Sequence, residues 1–281
     1  MARQVMADAG LDEEFTDRGY VLVDLLSPHA AGELLRRWQC AHAGTHRAGI
    51  SPTITSGDVQ ARAAADRDVA AVLDGPLRRR LASFRPVHHG FVAKSPASPH
   101  SGMELHQDFS VVDERHLPSV TVWCPLVDVT DDNGPLGVVP GSHRLNPHPR
   151  QPGVFPYPAL APLIHERYVT HVLPRAGQAV LMHPATFHTS PPNLGPKPRV
   201  VAAVMAVPEE APLVYCHPGP TDAELELHHV DDGFYQRHRL GLRPTDSREV
   251  TVVPRQVAPL STADLDRATA AHPIPETRTA R

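Results

Sequence analysis

The chain has 281 residues with 31 acidic and 27 basic side chains, a net charge of −4, which leaves no positive footprint for a nucleic acid. Hydrophobic residues make up 41% and charged ones 21%, the balance of a globular chain with a buried core. No apolar run is long enough to cross a bilayer, and the N-terminus lacks the apolar core of a signal peptide, so the expectation is one domain over 1–281, in the cytoplasm, with no membrane partner.

In chain order, Gly19-Tyr-Val-Leu-Val-Asp24 reads as a short strand. Ser27-Pro28 has the form of an N-cap followed by proline at the first helical position, and Ala30, Ala31, Leu34, Leu35 and Trp38 recur at helical spacing. A second helical region over 58–83 is rich in Ala, Arg and Leu, with an interruption expected at Gly75-Pro76. From Arg85 the texture changes to short β-type runs between turn signals: 87–94, 119–128, 136–139, 169–173, 178–183 and 199–207. Asp132-Asn-Gly134 and Pro140-Gly-Ser-His143 are turns between them. The proline-rich stretch 144–162, starting at Arg144, reads as an insertion, a lid or substrate loop, and the tail from Pro254 as polar and poorly packed. The three cysteines, Cys40, Cys124 and Cys216, form no CxxC pair and predict neither a disulfide nor a zinc site.

Chemistry concentrates in two places. His106-Gln-Asp108 is an H-x-D triplet; if extended, its two outer side chains share a face. His188 follows 82 residues later (188 − 106) and Arg199 another eleven (199 − 188). Two imidazoles and a carboxylate can cap one face of an octahedral Fe(II), leaving three adjacent positions for a co-substrate and O2. A guanidinium fork matches a carboxylate in charge and shape, so Arg199 could hold the far end of 2-oxoglutarate while its near end chelates the iron. With 19 histidines in the chain, rivals exist: His229-Val-Asp231 repeats the triplet, but no histidine after it precedes an arginine in a strand-like context. His183 ends the 178–183 run and competes with His188, which is preferred for the run to Asn193 and the arginine at 199 on its C-terminal side.

Five motifs carry a resemblance: Leu105-His-Gln-Asp-Phe109, Val122-Trp-Cys-Pro-Leu-Val-Asp128, Asp132-Asn-Gly-Pro-Leu136, Val139-Pro-Gly-Ser-His143, and His188-Thr-Ser-Pro-Pro-Asn193 with Arg199. In order and spacing the chain resembles the phytanoyl-CoA dioxygenase family of Fe(II)/2-oxoglutarate oxygenases from about Phe15 to Val207. The resemblance implies a mainly β chain, a double-stranded β-helix (jelly-roll, cupin-like) with flanking N-terminal helices: helical about 1–84, jelly-roll core about 85–210, and a C-terminal extension about 211–281. It implies His106, Asp108 and His188 as iron ligands, Arg199 on the distal carboxylate of 2-oxoglutarate, Ser190 beside that carboxylate and Trp123 near it, the last reading equally well as a core aromatic. His143 belongs to a fold-supporting turn. Relatives that halogenate carry a small residue in place of the carboxylate, so Asp108 favours hydroxylation of a small molecule, and the Ala/Pro/Arg-rich texture of the chain suggests specialised-metabolite biosynthesis. Desaturation, ring formation, or a cupin-like metal protein without 2-oxoglutarate remain the alternatives.

Overall fold

A computed structural model describes residues 3–43 and 48–270. The chain order is α1 (Ala9–Arg18), β1 (Tyr20–Asp24), α2 (Pro28–Ala41), β2 (Ile50–Pro52), α3 (Val59–Arg80), β3 (Phe84–Lys94), β4 (Met103–His106), β5 (Val120–Pro125), β6 (Leu136–Val138), α4 (Ala161–Arg167), β7 (Thr170–Val172), β8 (Gln178–Met182), β9 (His188–Ser190), β10 (Arg199–Pro208), β11 (Leu213–Pro218), β12 (Glu224–Val230), α5 (Phe234–Arg237), β13 (Glu249–Pro254) and α6 (Thr262–Ala270). A six-stranded sheet, β1-β8-β5-β10-β3-β2, and a four-stranded one, β4-β9-β6-β7, form the jelly roll, and β11-β12-β13 make a third sheet after it.

Period-two alternation decides what faces the interior. In β5, Val120, Val122 and Cys124 join a core with Leu34, Leu73 and Leu77 of the N-terminal helices, while Thr121 and Trp123 line the cavity on the other face. Helices cover one face and the smaller sheet the other, so all six residues of β5 are buried. Strand β10 divides likewise, with Val200, Ala202, Val204 and Ala206 toward the helices and Arg199, Ala203 and Met205 toward the cavity.

Helix α1 lies within the N-terminal part expected to be helical; Asp8 caps it by accepting from the Leu11 N–H, and Gly19 ends it at φ 79°, a left-handed turn that glycine enters without a Cβ penalty. Three expectations need correction. The helix expected to break at Gly75-Pro76 runs unbroken through Pro76, because Leu73 and Leu77 on either side are buried in the core and that burial outweighs one missing hydrogen bond. His106 and Asp108 do not share a strand: β4 ends at His106, and Asp108 sits in the following loop with its N–H bonded to the Pro184 carbonyl. The tail beyond Pro254 does pack through α6, while residues 271–281 of it lie outside the described residues. Leu265 and Ala268, one helical turn apart, are buried, and the hydroxyls of Tyr157 and Tyr168 donate to the Ala258 carbonyl and the Asp266 carboxylate.

One buried ionic contact ties the helices to the sheet. His89 on β3 lies between Asp66 and Asp74 of α3, at 3.0 and 2.8 Å. Burial works against its charge, but the two carboxylates more than offset it and raise the pKa. A raised folded-state pKa stabilises the fold fully below the unfolded value of about 6.5, and the contribution is lost as pH rises through the folded value. The melting temperature lost by His89→Gln should therefore be larger at pH 6 than at pH 9; an equal loss at both would mean that the imidazole folds neutral.

Candidate metal centre and co-substrate pocket

Strands β4 and β9 are antiparallel neighbours in which His106 and His188 are direct register partners, so the histidine far away in sequence is adjacent in space. Their rings are 4.0 Å apart between centroids. Between Met103↔Ser190 and His106↔His188 the register shifts by one residue, a bulge that turns both Met103 and His106 toward the cavity. His106 Nδ1 donates to the Glu104 carbonyl at 2.7 Å and His188 Nδ1 to the Thr186 carbonyl at 2.9 Å. A ring nitrogen facing a carbonyl must carry the proton, which leaves each Nε2 with a free lone pair. Both face Asp108 Oδ1, at 3.9 Å from His106 and 3.7 Å from His188, and the three donor atoms lie within 4.8 Å of one another. Burial and the neighbouring His188 hold the His106 pKa down at about 4, so its imidazole is in the neutral form that a metal needs.

Asp108 is held from two sides by residues the sequence did not single out. Thr121 Oγ1 donates to its Oδ2 at 2.7 Å, leaving Oδ1 to face the histidines. Arg150 Nε donates to its main-chain carbonyl at 2.8 Å, while the same guanidinium pairs with Glu114, whose side chain is fully buried. Gln107 exchanges hydrogen bonds with Asn146, and Ser110 with the main chain of Arg150. The first part of the insertion is thus a strut under the Asp108 loop, and Pro152, Gly153 and Phe155 beyond it border the cavity. No spacing signal marks Arg150 in the sequence. Arg150→Ala should weaken Fe(II) binding about 10- to 100-fold, the range for losing a group that orients a ligand. An unchanged iron dissociation constant with altered coupling alone would restore the simple lid.

Arg199, at the start of β10, is 1% exposed. Burial brings its pKa down to about 9. Its Nη2 donates to Ser190 Oγ at 3.4 Å, its carbon lies 5.2 Å from the Trp123 ring centroid, and Nε and Nη1 have no partner. Lys94, directly opposite Arg199 in the β3–β10 register, donates to Ser190 Oγ at 2.6 Å and to the carbonyls of Ser190 and Pro191. Burial first and then the Arg199 charge depress its pKa to about 7. Neither cation makes an ion pair among the described residues. A buried guanidinium with two orphaned nitrogens, a second buried cation beside it and a metal-type triad on the same cavity are matched by a dicarboxylate with one end at the metal and the other at Arg199. Lys94 ends a strand that the sequence did indicate, but only the register reveals its place beside Arg199.

The remaining candidates lie elsewhere. His183 packs against Phe15 and His143 and accepts from the Ala185 N–H; burial, then the Arg150 charge, holds its pKa at about 3. His143 Nε2 meets the Thr16 carbonyl. His229 sits on β12 opposite Val214, outside the cluster. Among the described residues no helix is long and apolar enough to span a membrane.

A jelly roll with a His-Asp-His cluster between its two sheets defines the class of cupin-like, metal-dependent oxygenase folds. The phytanoyl-CoA dioxygenase family model matches residues 39–201, more than half of the chain, and the chain belongs to that family of Fe(II)/2-oxoglutarate-dependent oxygenases. The ectoine dioxygenase of Halomonas elongata is 30% identical over 146 residues, 45% of this chain and 44% of that protein, so the match spans less than half of the relative's length. Among solved structures, the non-heme alpha-ketoglutarate-dependent carbocyclase SnoK from nogalamycin biosynthesis superposes with a TM-score of 0.55 at 19% identity, covering 88% of this chain and 96% of that one. The epimerase SnoN in complex with Fe3+, alpha-ketoglutarate and nogalamycin RO gives 0.51 at 21%, covering 90% and 96%. At these identities the two structures speak to the fold alone. The family's cofactors are iron and 2-oxoglutarate, and the donor set fits both.

Proposed function

We propose that this chain, as a single domain in the cytoplasm, is an Fe(II)- and 2-oxoglutarate-dependent dioxygenase that hydroxylates an unactivated C–H of a small molecule. The observation that carries the reading is the His106–Asp108–His188 cluster opening onto the same cavity as a buried Arg199 with two unpartnered nitrogens. When bound, iron and 2-oxoglutarate supply the oxidising chemistry: with O2 and a C–H bond they yield succinate, CO2 and a C–OH. The two Nε2 atoms and Asp108 Oδ1 would hold three corners of the metal. Thr121 keeps Oδ2 engaged, so that the carboxylate ligates through one oxygen and leaves the other positions open. Arg199, with Ser190 and Lys94, orients the co-substrate through its distal carboxylate, and the cavity wall excludes water from the reacting centre.

Ectoine, named in one relative, and nogalamycin RO, bound by another, are small molecules and support a small-molecule substrate here. The carbocyclase and epimerase among the structural neighbours keep ring formation and stereochemical inversion as alternatives on the same ligands. The test is anaerobic titration of the apoprotein with Fe(II) and then 2-oxoglutarate, followed by aerobic incubation with a metabolite library. A visible charge-transfer band, succinate formation and a product 16 mass units heavier are expected. Absence of the band would sink the reading, and a product 2 units lighter or of unchanged mass would replace hydroxylation with desaturation or ring closure, or with epimerisation.

A further inference from the structure

The cavity beside the metal cluster holds about 500 Å³, and its wall identifies what it admits. Ile54, Met103, Phe109, Leu136, Phe155 and Met205 dominate the lining. Beyond Asp108 and Arg199, both used by iron and co-substrate in the proposed function, Glu104 is the one further acidic or basic residue bordering it among the described residues. Glu104 is exposed, so its carboxylate stays hydrated at the rim of the cavity, while Leu105 also packs in the outer cluster with Val139 and Phe187. No buried charge on the wall is thus left over for a substrate. An ionised group brought into such a space loses its hydration and gains no partner.

Among the described residues, one histidine besides the two of the metal cluster borders the cavity, His88 on β3. Burial, with the neighbouring His89, depresses its pKa to about 4, so at neutral pH it is an uncharged donor–acceptor. The Tyr235 main chain accepts from its ring and Nδ1 is sealed from solvent, so Nε2, beside Gly90 on the cavity wall, is the nitrogen that a ligand reaches. The next inward-facing position is Gly90, where a Cβ would stand 3.1 Å from His88 Nε2 and 3.2 Å from Thr53 Cβ, so a side chain there would crowd the ring. The threonines of the same wall are already engaged, Thr53 with the Phe91 main chain and Thr55 with the Pro52 carbonyl. Across the sheet, His88 pairs with Met205 and Met205 with Thr121, whose hydroxyl holds Asp108. Two strand spacings put His88 about 10 Å from Thr121.

We propose that the cavity takes an uncharged, mainly apolar small molecule whose single hydroxyl or carbonyl is held by His88, several bonds away from the carbon presented to the metal. This rests on the Fe(II)/2-oxoglutarate reading and narrows it, since a substrate with a phosphate, carboxylate or ammonium group inside the cavity is disfavoured.

The test uses three probes with one apolar body and different heads: 4-cyclohexylbutan-1-ol, 4-cyclohexylbutylamine and 4-cyclohexylbutanoate. Each is titrated at pH 7.5 into the anaerobic Fe(II)·2-oxoglutarate complex of the full chain, and binding is read as the change in the visible band. The alcohol should bind at least tenfold more tightly than either ion. His88→Phe should weaken the alcohol about tenfold without moving the weak binding of the ions, and His88→Gln, which keeps a donor and an acceptor, should restore most of it. A merely structural role for His88 would shift all three probes together. Either ion binding within threefold of the alcohol overturns the proposal, as does an alcohol affinity indifferent to His88→Phe or a failure of all three probes to bind while the band is present. If the band itself never forms, it is the functional reading that fails, so the two failures are distinct.

Discussion

Replacing Arg199 with alanine should weaken 2-oxoglutarate binding by about two to three and a half powers of ten. The guanidinium is 1% exposed with two donors free, so a carboxylate docked there is paired out of water. Breaking such a pair by removing one partner costs about 3–5 kcal/mol, and each decade of affinity is about 1.4 kcal/mol. Lysine should rescue only in part, because it keeps the charge and loses the fork. Lys94 will moderate the loss. With Arg199 gone its own pKa rises, since that charge is one of the two causes depressing it, and it becomes the remaining cation beside Ser190. Lys94→Met combined with Arg199→Ala should therefore exceed either single change. The decisive number is the dissociation constant for 2-oxoglutarate under anaerobic Fe(II), where a change below about threefold, or ~0.7 kcal/mol, would mean that another group holds the carboxylate. Iron affinity should survive, since the three donors are untouched.

Alanine at His106, Asp108 or His188 should abolish turnover and iron binding while the circular dichroism of the fold stays native. None of the three is part of the clusters that carry the hydrophobic core. His183→Ala is the informative contrast. That ring fills space between Phe15 and His143, so its removal should cost about 1–3 kcal/mol of stability yet leave one iron per chain. Iron lost from His183→Ala and kept by His188→Ala would overturn the ligand assignment. His229→Ala, on the third sheet, should leave both iron and activity at wild-type levels.

The order and spacing of His106, Asp108, His188 and Arg199 were legible because the chemistry demands those residue types and they lie in recognisable motifs. The strands were legible as short apolar and β-branched runs between turn signals, and β5 and β10 are buried along their length because both of their faces are covered. The helix through Pro76 was misread, since local propensity cannot see that Leu73 and Leu77 are both buried. The tail was misread for the same reason: one leucine and one alanine at helical spacing look negligible until Leu265 meets Tyr157 and Ile164.

By itself, the sequence determined the class of fold, the family, and the kinds of donor atom available for iron and a dicarboxylate. The donor types stem from residue identity, a local property, while the family and its jelly-roll fold stem from the resemblance carried by five motifs in order. Tertiary structure alone decided which histidines meet, since His106 and His188 become neighbours through strand register while His183 is turned into a core packed from Phe15 and His143. It also decided that Lys94 stands opposite Arg199, that Arg150 reaches back from the insertion to the Asp108 carbonyl, and that His88 borders the cavity. Each of these depends on pairing across many residues, where register and close packing set positions that no run of neighbouring side chains encodes.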